Sequence, residues 1–171
     1  MLKQDFTRKR EIFAEDGAHV GNIRLLMSDG SSANILYRAM RWCAKRRLSP
    51  LSYLLQYINK LLNSCVIGNG AQFDAGFVIM HPVGVVINSK VRGGRNVTLE
   101  SGVVIGDEKG KSPVIGNNVF VGAGAKIIGP VTIGDNVKIG ANAVVTKDAP
   151  DGSTMLGIPA RPLQKKQDVT N

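Results

Sequence analysis

Apolar residues recur at six-residue intervals from Ile67 to Val145, a spacing that neither an α-helix nor a free-standing strand produces. The clearest run is Ile115, Val121, Ile127, Ile133, Ile139 and Val145, with Gly following Ile115, Val121, Ile133 and Ile139. A second set of small or branched residues lies four places on, at Val119, Ala125, Val131, Val137 and Ala143. A prism-shaped solenoid with one hexapeptide per face satisfies both sets, because each coil buries its apolar residues by stacking on its neighbours. Such a scaffold repeats its corners at roughly 4.8 Å per coil.

The repeat extends upstream in blocks. Ile67, Phe73 and Ile79 hold one phase; two extra residues then shift it to Ile87, Gly93, Leu99 and Ile105, accompanied by Val91, Val97 and Val103. Four more extra residues within Asp107–Pro113 restore the phase at Ile115. The expected fold is therefore an all-β solenoid, a parallel β-helix of about four and a half coils, above the three or so repeats such a stack needs. The expected organisation is an N-terminal segment and helical cap over residues 1–64, the β-helix over 65–150, and a tail over 151–171 that closes the stack. Residues 1 to about 20 are charged and show no period. Residues 32–47 predict a helix with a stripe of Ile35, Leu36, Ala39, Met40 and Cys43. Ser49-Pro50 opens a second amphipathic helix carrying Leu51, Leu54, Leu55, Ile58, Leu61 and Leu62.

Two cysteines, Cys43 and Cys65, and no secretory leader predict buried reduced thiols and a cytoplasmic protein. The formal net charge of +9 asks for an anionic partner, yet aromatic residues are few and no stacking platform stands out, which ranks nucleic acid last. Arg38, Arg41, Lys45-Arg46-Arg47 and Lys60 concentrate positive charge on the cap: either a solvated face, or a peripheral contact with the inner face of a membrane.

Only one histidine, His81, falls inside the repeat, beside the first phase shift. Stacking by phase puts His81 above Ser101, Ala123 and Ala141, with Pro82, Gly102, Gly124 and Asn142 alongside. The other corners carry bulkier polar pairs such as Arg95-Asn96 and Asn117-Asn118. One corner is thus a trench of small residues headed by His81, fit for a long, thin, amide-bearing ligand. The plain alternative is that Gly and Ala merely permit tight turns and that His81 is structural. A zinc hydratase on such a scaffold needs about three His ligands; this chain has two, His19 and His81, so that reading fails and no metal is expected. An inactive assembly scaffold explains the repeat and the basic cap but leaves the trench unaccounted for.

From Val66 to Pro162 the chain resembles the left-handed β-helix, hexapeptide-repeat acyltransferases that use acetyl-coenzyme A, through Ile-Met-His-Pro-Val-Gly-Val-Val-Ile (79–87), Val-Gly-Ala-Gly-Ala-Lys-Ile-Ile-Gly (121–129), Ile-Gly-Ala-Asn-Ala-Val-Val (139–145) and Gly-Ile-Pro-Ala-Arg-Pro (157–162). It is similar to the serine acetyltransferase-like group, which includes exopolysaccharide O-acetyltransferases. The resemblance implies a homotrimer with sites between subunits and His81 as catalytic base. It also implies a coenzyme groove along Gly106, Ala123, Gly124, Ala125 and Ala141, with Lys147 and Arg161 near the coenzyme phosphates. The acid that this group places fifteen residues before the histidine is Val66 here, leaving Asp74, Glu100 or a backbone carbonyl as alternatives to orient the ring. Serine acetyltransferases carry Asp immediately before the histidine and an Arg-His pair in the following loop. Here Met80 and the loop residue Lys111 occupy the acceptor positions, which points to a sugar hydroxyl of a surface polysaccharide or its lipid-linked precursor, with free serine as the alternative.

Overall fold

The computed structural model describes residues 1–163 and bears out the solenoid. Short strands stack in parallel register on three faces. Face 1 holds β1 (Val66–Ile67), β4 (Val86–Ile87), β7 (Val104–Gly106), β10 (Lys126–Ile128) and β13 (Val144–Val145). Face 2 holds β2 (Gln72–Phe73), β5 (Arg92–Gly93), β8 (Val114–Ile115) and β11 (Thr132–Ile133). Face 3 holds β3 (Val78–Ile79), β6 (Thr98–Leu99), β9 (Phe120–Val121), β12 (Lys138–Ile139) and β14 (Thr154–Leu156). A last strand, β15 (Arg161–Pro162), runs antiparallel to β14 and ends the stack. Residues 164–171 of the expected tail lie outside the described residues.

The period-six residues point inward and are buried: Ile67, Ile87, Ile105, Ile127 and Val145 stack under face 1, and Ile79, Leu99, Val121 and Ile139 under face 3. The weak position at Gly93 has a physical cause. A side chain there would collide with the ring of Phe73 one coil below, which stacks on Phe77 at 4.1 Å and fills the space of both coils. Cys43 and Cys65 are free and buried, and burial pushes the Cys65 thiol up to about 12.

The first coil has no coil beneath it, so its backbone groups need other partners. Helix α3 (Ser31–Lys45) supplies them. Asn34 donates to the Phe77 carbonyl (2.7 Å) and accepts from the Ile79 N–H (2.9 Å), while the Tyr37 hydroxyl accepts from the Phe73 N–H (2.9 Å). The buried face of α3 is thus Ala33, Asn34, Tyr37, Met40 and Cys43. It is rotated from the expected stripe, and Ile35 is exposed.

Two further differences concern the cap. The segment without apolar period forms α1 (Leu2–Glu15), whose buried residues are Asp5 and Lys9, one turn apart. Asp5 accepts a two-pronged pair from Arg38 (2.6 and 2.9 Å) and the N–H groups of Gly76 and Phe77, so α1 is pinned by charge rather than by an apolar stripe. Helix α4 (Ser49–Asn63) begins where Pro50 predicted, although Leu48 rather than Ser49 is the N-cap. Its faces are inverted: Ser52, Asn59 and Asn63 are buried, whereas Leu51, Leu54, Leu61 and Leu62 are exposed.

Candidate active site

His81 stands on the edge where face 3 turns into face 1. The two extra residues of the phase shift lie here, and they alter the expected stacking. The Gly102 N–H donates to Val83 O (2.9 Å), so Val83, not His81, lies under Ser101, and Gly84 lies under Gly102. His81 is thereby lifted out of the column, just ahead of the Pro82–Val85 turn.

Its partner is Asp29, which none of the sequence alternatives included. The Asp29 Oδ2 is 2.8 Å from His81 Nδ1. Asp29 sits between α2 (Asn22–Met27) and α3, in a turn that can approach because Gly30 has positive φ (75°) and no side chain to strike the Ile79 carbonyl. From below, the buried ammonium of Lys9 hydrogen-bonds to the Asp29 carbonyl and to Ser31 Oγ. Burial lowers the Lys9 pKa to about 8, with the Asp29 charge opposing the shift. A carboxylate on Nδ1 fixes the tautomer that leaves Nε2 free as a base. Both side chains of the pair remain more than half exposed, at 57% and 58%, so a substrate hydroxyl can reach them. Asp74 does not serve in this way: its carbonyl accepts from Arg38 on another edge.

Beyond His81 the edge is Ser101-Gly102, Ala123-Gly124 and Ala141-Asn142. Its second positions are zipped together, Gly124 N–H to Ser101 O (2.7 Å) and Asn142 N–H to Ala123 O (2.8 Å), and Gly102, Gly124 and Asn142 all have positive φ. The N–H groups of Ser101, Ala123 and Ala141 take no backbone partner among the described residues and are the donors the groove offers. The carbonyls are less open than expected. Lys126, which the sequence reading missed, folds back from face 1 and donates to Gly102 O (2.9 Å) and Gly124 O (2.6 Å). Ala125 is a correction: its side chain is fully buried in the core and cannot line the groove.

The remaining expected residues divide by edge. Arg161 pairs with Leu156 on face 3, at the same end of the solenoid as Ala141. Gly106, Lys111 and Lys147 do not join His81. Gly106 ends β7 and Lys147 follows β13, both on the edge where face 1 turns into face 2. Lys111 sits in the loop on that edge, closed by a Glu108–Lys111 bridge. Met80 points outward from face 3 into a cleft of about 300 Å³ shared with Arg8, Ile12, Glu15, Glu100 and Phe120. No cluster of metal-ligating side chains exists among the described residues.

A stacked parallel β-helix with a carboxylate-oriented histidine heading a groove of small residues defines a solenoid acyltransferase. Residues 112–147 match the model of the family described as bacterial transferase hexapeptide (six repeats). The serine acetyltransferase of Helicobacter pylori (strain ATCC 700392 / 26695) is 41% identical over 169 residues, covering 96% of this chain and 99% of the relative. Among solved structures, a serine acetyltransferase in complex with CoA superposes with a TM-score of 0.87 at 27% identity, over 95% of this chain and 68% of the other. The Neisseria gonorrhoeae serine acetyltransferase in complex with serine gives 0.86 at 29%, over 95% and 67%. The chain thus spans about two thirds of the length of these solved neighbours. It belongs to the serine acetyltransferase family of hexapeptide-repeat transferases.

Proposed function

We propose that this chain transfers an acetyl group from acetyl-CoA to the hydroxyl of serine, with His81 as general base and Asp29 holding its Nδ1–H. The observation that carries the proposal is the Asp29–His81 pair at the head of the groove. Acetyl-CoA supplies an acetyl group activated as a thioester. The Ser101, Ala123 and Ala141 N–H groups, Lys126 and Arg161 are this chain's means of holding the coenzyme. The narrow column suits it, since Ala123 and Ala141 are exposed and carry only methyl groups. His81 Nε2 takes the serine proton as the oxygen attacks the acetyl carbonyl, and later passes it to the departing sulfur. Base and both substrates held together suffice, with no acyl-enzyme.

The likeness to serine acetyltransferases supports serine as acceptor over the sugar expected at Met80 and Lys111. Asp29 gives that acceptor a carboxylate for its ammonium at the base itself. Met80, apolar and 8% exposed, favours a glycan hydroxyl as the second reading, because no acid stands beside His81 in sequence. Release of free thiol from acetyl-CoA, followed with serine and with a glycan panel at matched concentration, decides between them. The proposal expects turnover with serine. Turnover with glycans and none with serine would overturn it while leaving His81 in place.

A homotrimer belongs to the same proposal. The outward residues of face 1 are Val66, Val86, Val104 and Val144, an apolar column interrupted only by Lys126. Gly106, Lys111 and Lys147 border this column on the side opposite His81. Packing face 1 against a second copy would bring the far edge of one chain to the His81 edge of the next, where these residues could share a site.

A further inference from the structure

We propose that α4 is a membrane-surface element that lays its exposed apolar face on anionic lipid. Ser52, Asn59 and Asn63, on the inward side of α4, are spent on the cap: Ser52 donates to Met40 O (3.0 Å), Asn59 to Ala33 O (3.3 Å), and Asn63 accepts from Ser32 (2.6 Å). Outward, Tyr53, Leu54, Tyr57, Leu61 and Leu62 form a continuous arc, between 52% and 73% exposed. A surface helix normally does the reverse, so nothing among the described residues covers this arc.

Charge identifies the occupant. From Gly30 to Phe73 the chain has none of its 13 acids and six of its 22 cations; Arg38 is spent on Asp5 and Arg41 is half-buried, which leaves Lys45, Arg46, Arg47 and Lys60 exposed. Lys45-Arg46-Arg47 immediately precede α4, and Lys60 lies within it. A second copy of α4 would bring like charges together, whereas anionic headgroups neutralise them while the apolar arc enters the acyl boundary. Tyr53 and Tyr57 are side chains suited to the headgroup level. No helix among the described residues is long and apolar enough to cross a membrane, so α4 lies on the surface. Its 15 residues extend roughly 22 Å along it.

The test is co-sedimentation of the full chain with phosphatidylcholine vesicles, with and without phosphatidylglycerol as roughly a third of the lipid. The proposal expects binding to the anionic vesicles, weakened by salt. It expects partitioning at least about tenfold weaker for Arg46→Glu/Arg47→Glu and for Leu54→Glu/Leu61→Glu, both keeping the wild-type circular dichroism and thiol-release rate. Wild-type indifference to the anionic lipid, or unchanged binding by Leu54→Glu/Leu61→Glu, overturns it. A lower oligomer mass for that variant in light scattering also overturns it, by assigning the face to a second copy.

Discussion

His81 acquires a role only through residues remote from it in sequence. Asp29 lies 52 positions upstream, and its approach depends on Gly30 passing the Ile79 carbonyl and on Lys9 holding the turn from beneath. No spacing motif could reveal this, because the contact joins a loop of the cap to a corner of the solenoid. The one local cue is Asp-Gly immediately before a helix, a common turn pair. Lys9 makes the arrangement measurable. Its amine has a native pKa near 8 against an ordinary value of 10.5, so the unfolded chain binds more protons between those values and stability rises with pH across that window. Urea unfolding should show wild type gaining roughly 2–3 kcal/mol relative to Lys9→Met between pH 8 and 10.5. A difference that stays flat with pH would mean that burial does not lower the Lys9 pKa.

Elements were legible where burial is apolar and illegible where it is polar. The solenoid strands announce themselves because nearly every inward position is Ile, Val, Leu, Ala or Phe, and the single lapse at Gly93 is repaired by Phe73 from the coil below. Helix α1 has no such stripe, since Asp5 and Lys9 are its anchors. In α4 the amphipathic pattern gives a helix, but not which face turns inward, because Ser52, Asn59 and Asn63 find partners on α3 and on one another. The same reasoning separates the edges of the solenoid. Along the edge opposite face 1, asparagine side chains form a ladder, Asn96 to Asn118 (2.9 Å) and Asn118 to Asn136 (3.2 Å), so that corner is occupied by amide side chains rather than methyl groups. Along the His81 edge the column is methyl-sized. Ala123→Trp should therefore abolish coenzyme A binding in calorimetry, while Arg95→Trp, exposed on the ladder edge, should leave it unchanged. Equal loss in both would mean that the coenzyme does not lie along the small-residue column.

At the scale of the whole molecule, the chain separates its functions by surface. Face 1 presents the valines of the proposed trimer contact, the His81 edge presents the proposed base and the small-residue column, and the cap presents a basic apolar surface. Sequence resemblance supplied Gly106, Lys111 and Lys147, but these stand across face 1 from His81, so only the proposed trimer would bring them to one site. Because His81 is half exposed and its ring contributes nothing to the core, its removal should leave the assembly unaltered. The decisive measurement is the thiol-release rate of His81→Ala with acetyl-CoA and serine, taken on material whose mass by light scattering equals that of wild type. Loss of a positioned general base predicts turnover lower by roughly 10²–10⁴-fold. Turnover within about twofold of wild type, on an intact assembly, would contradict a base at His81.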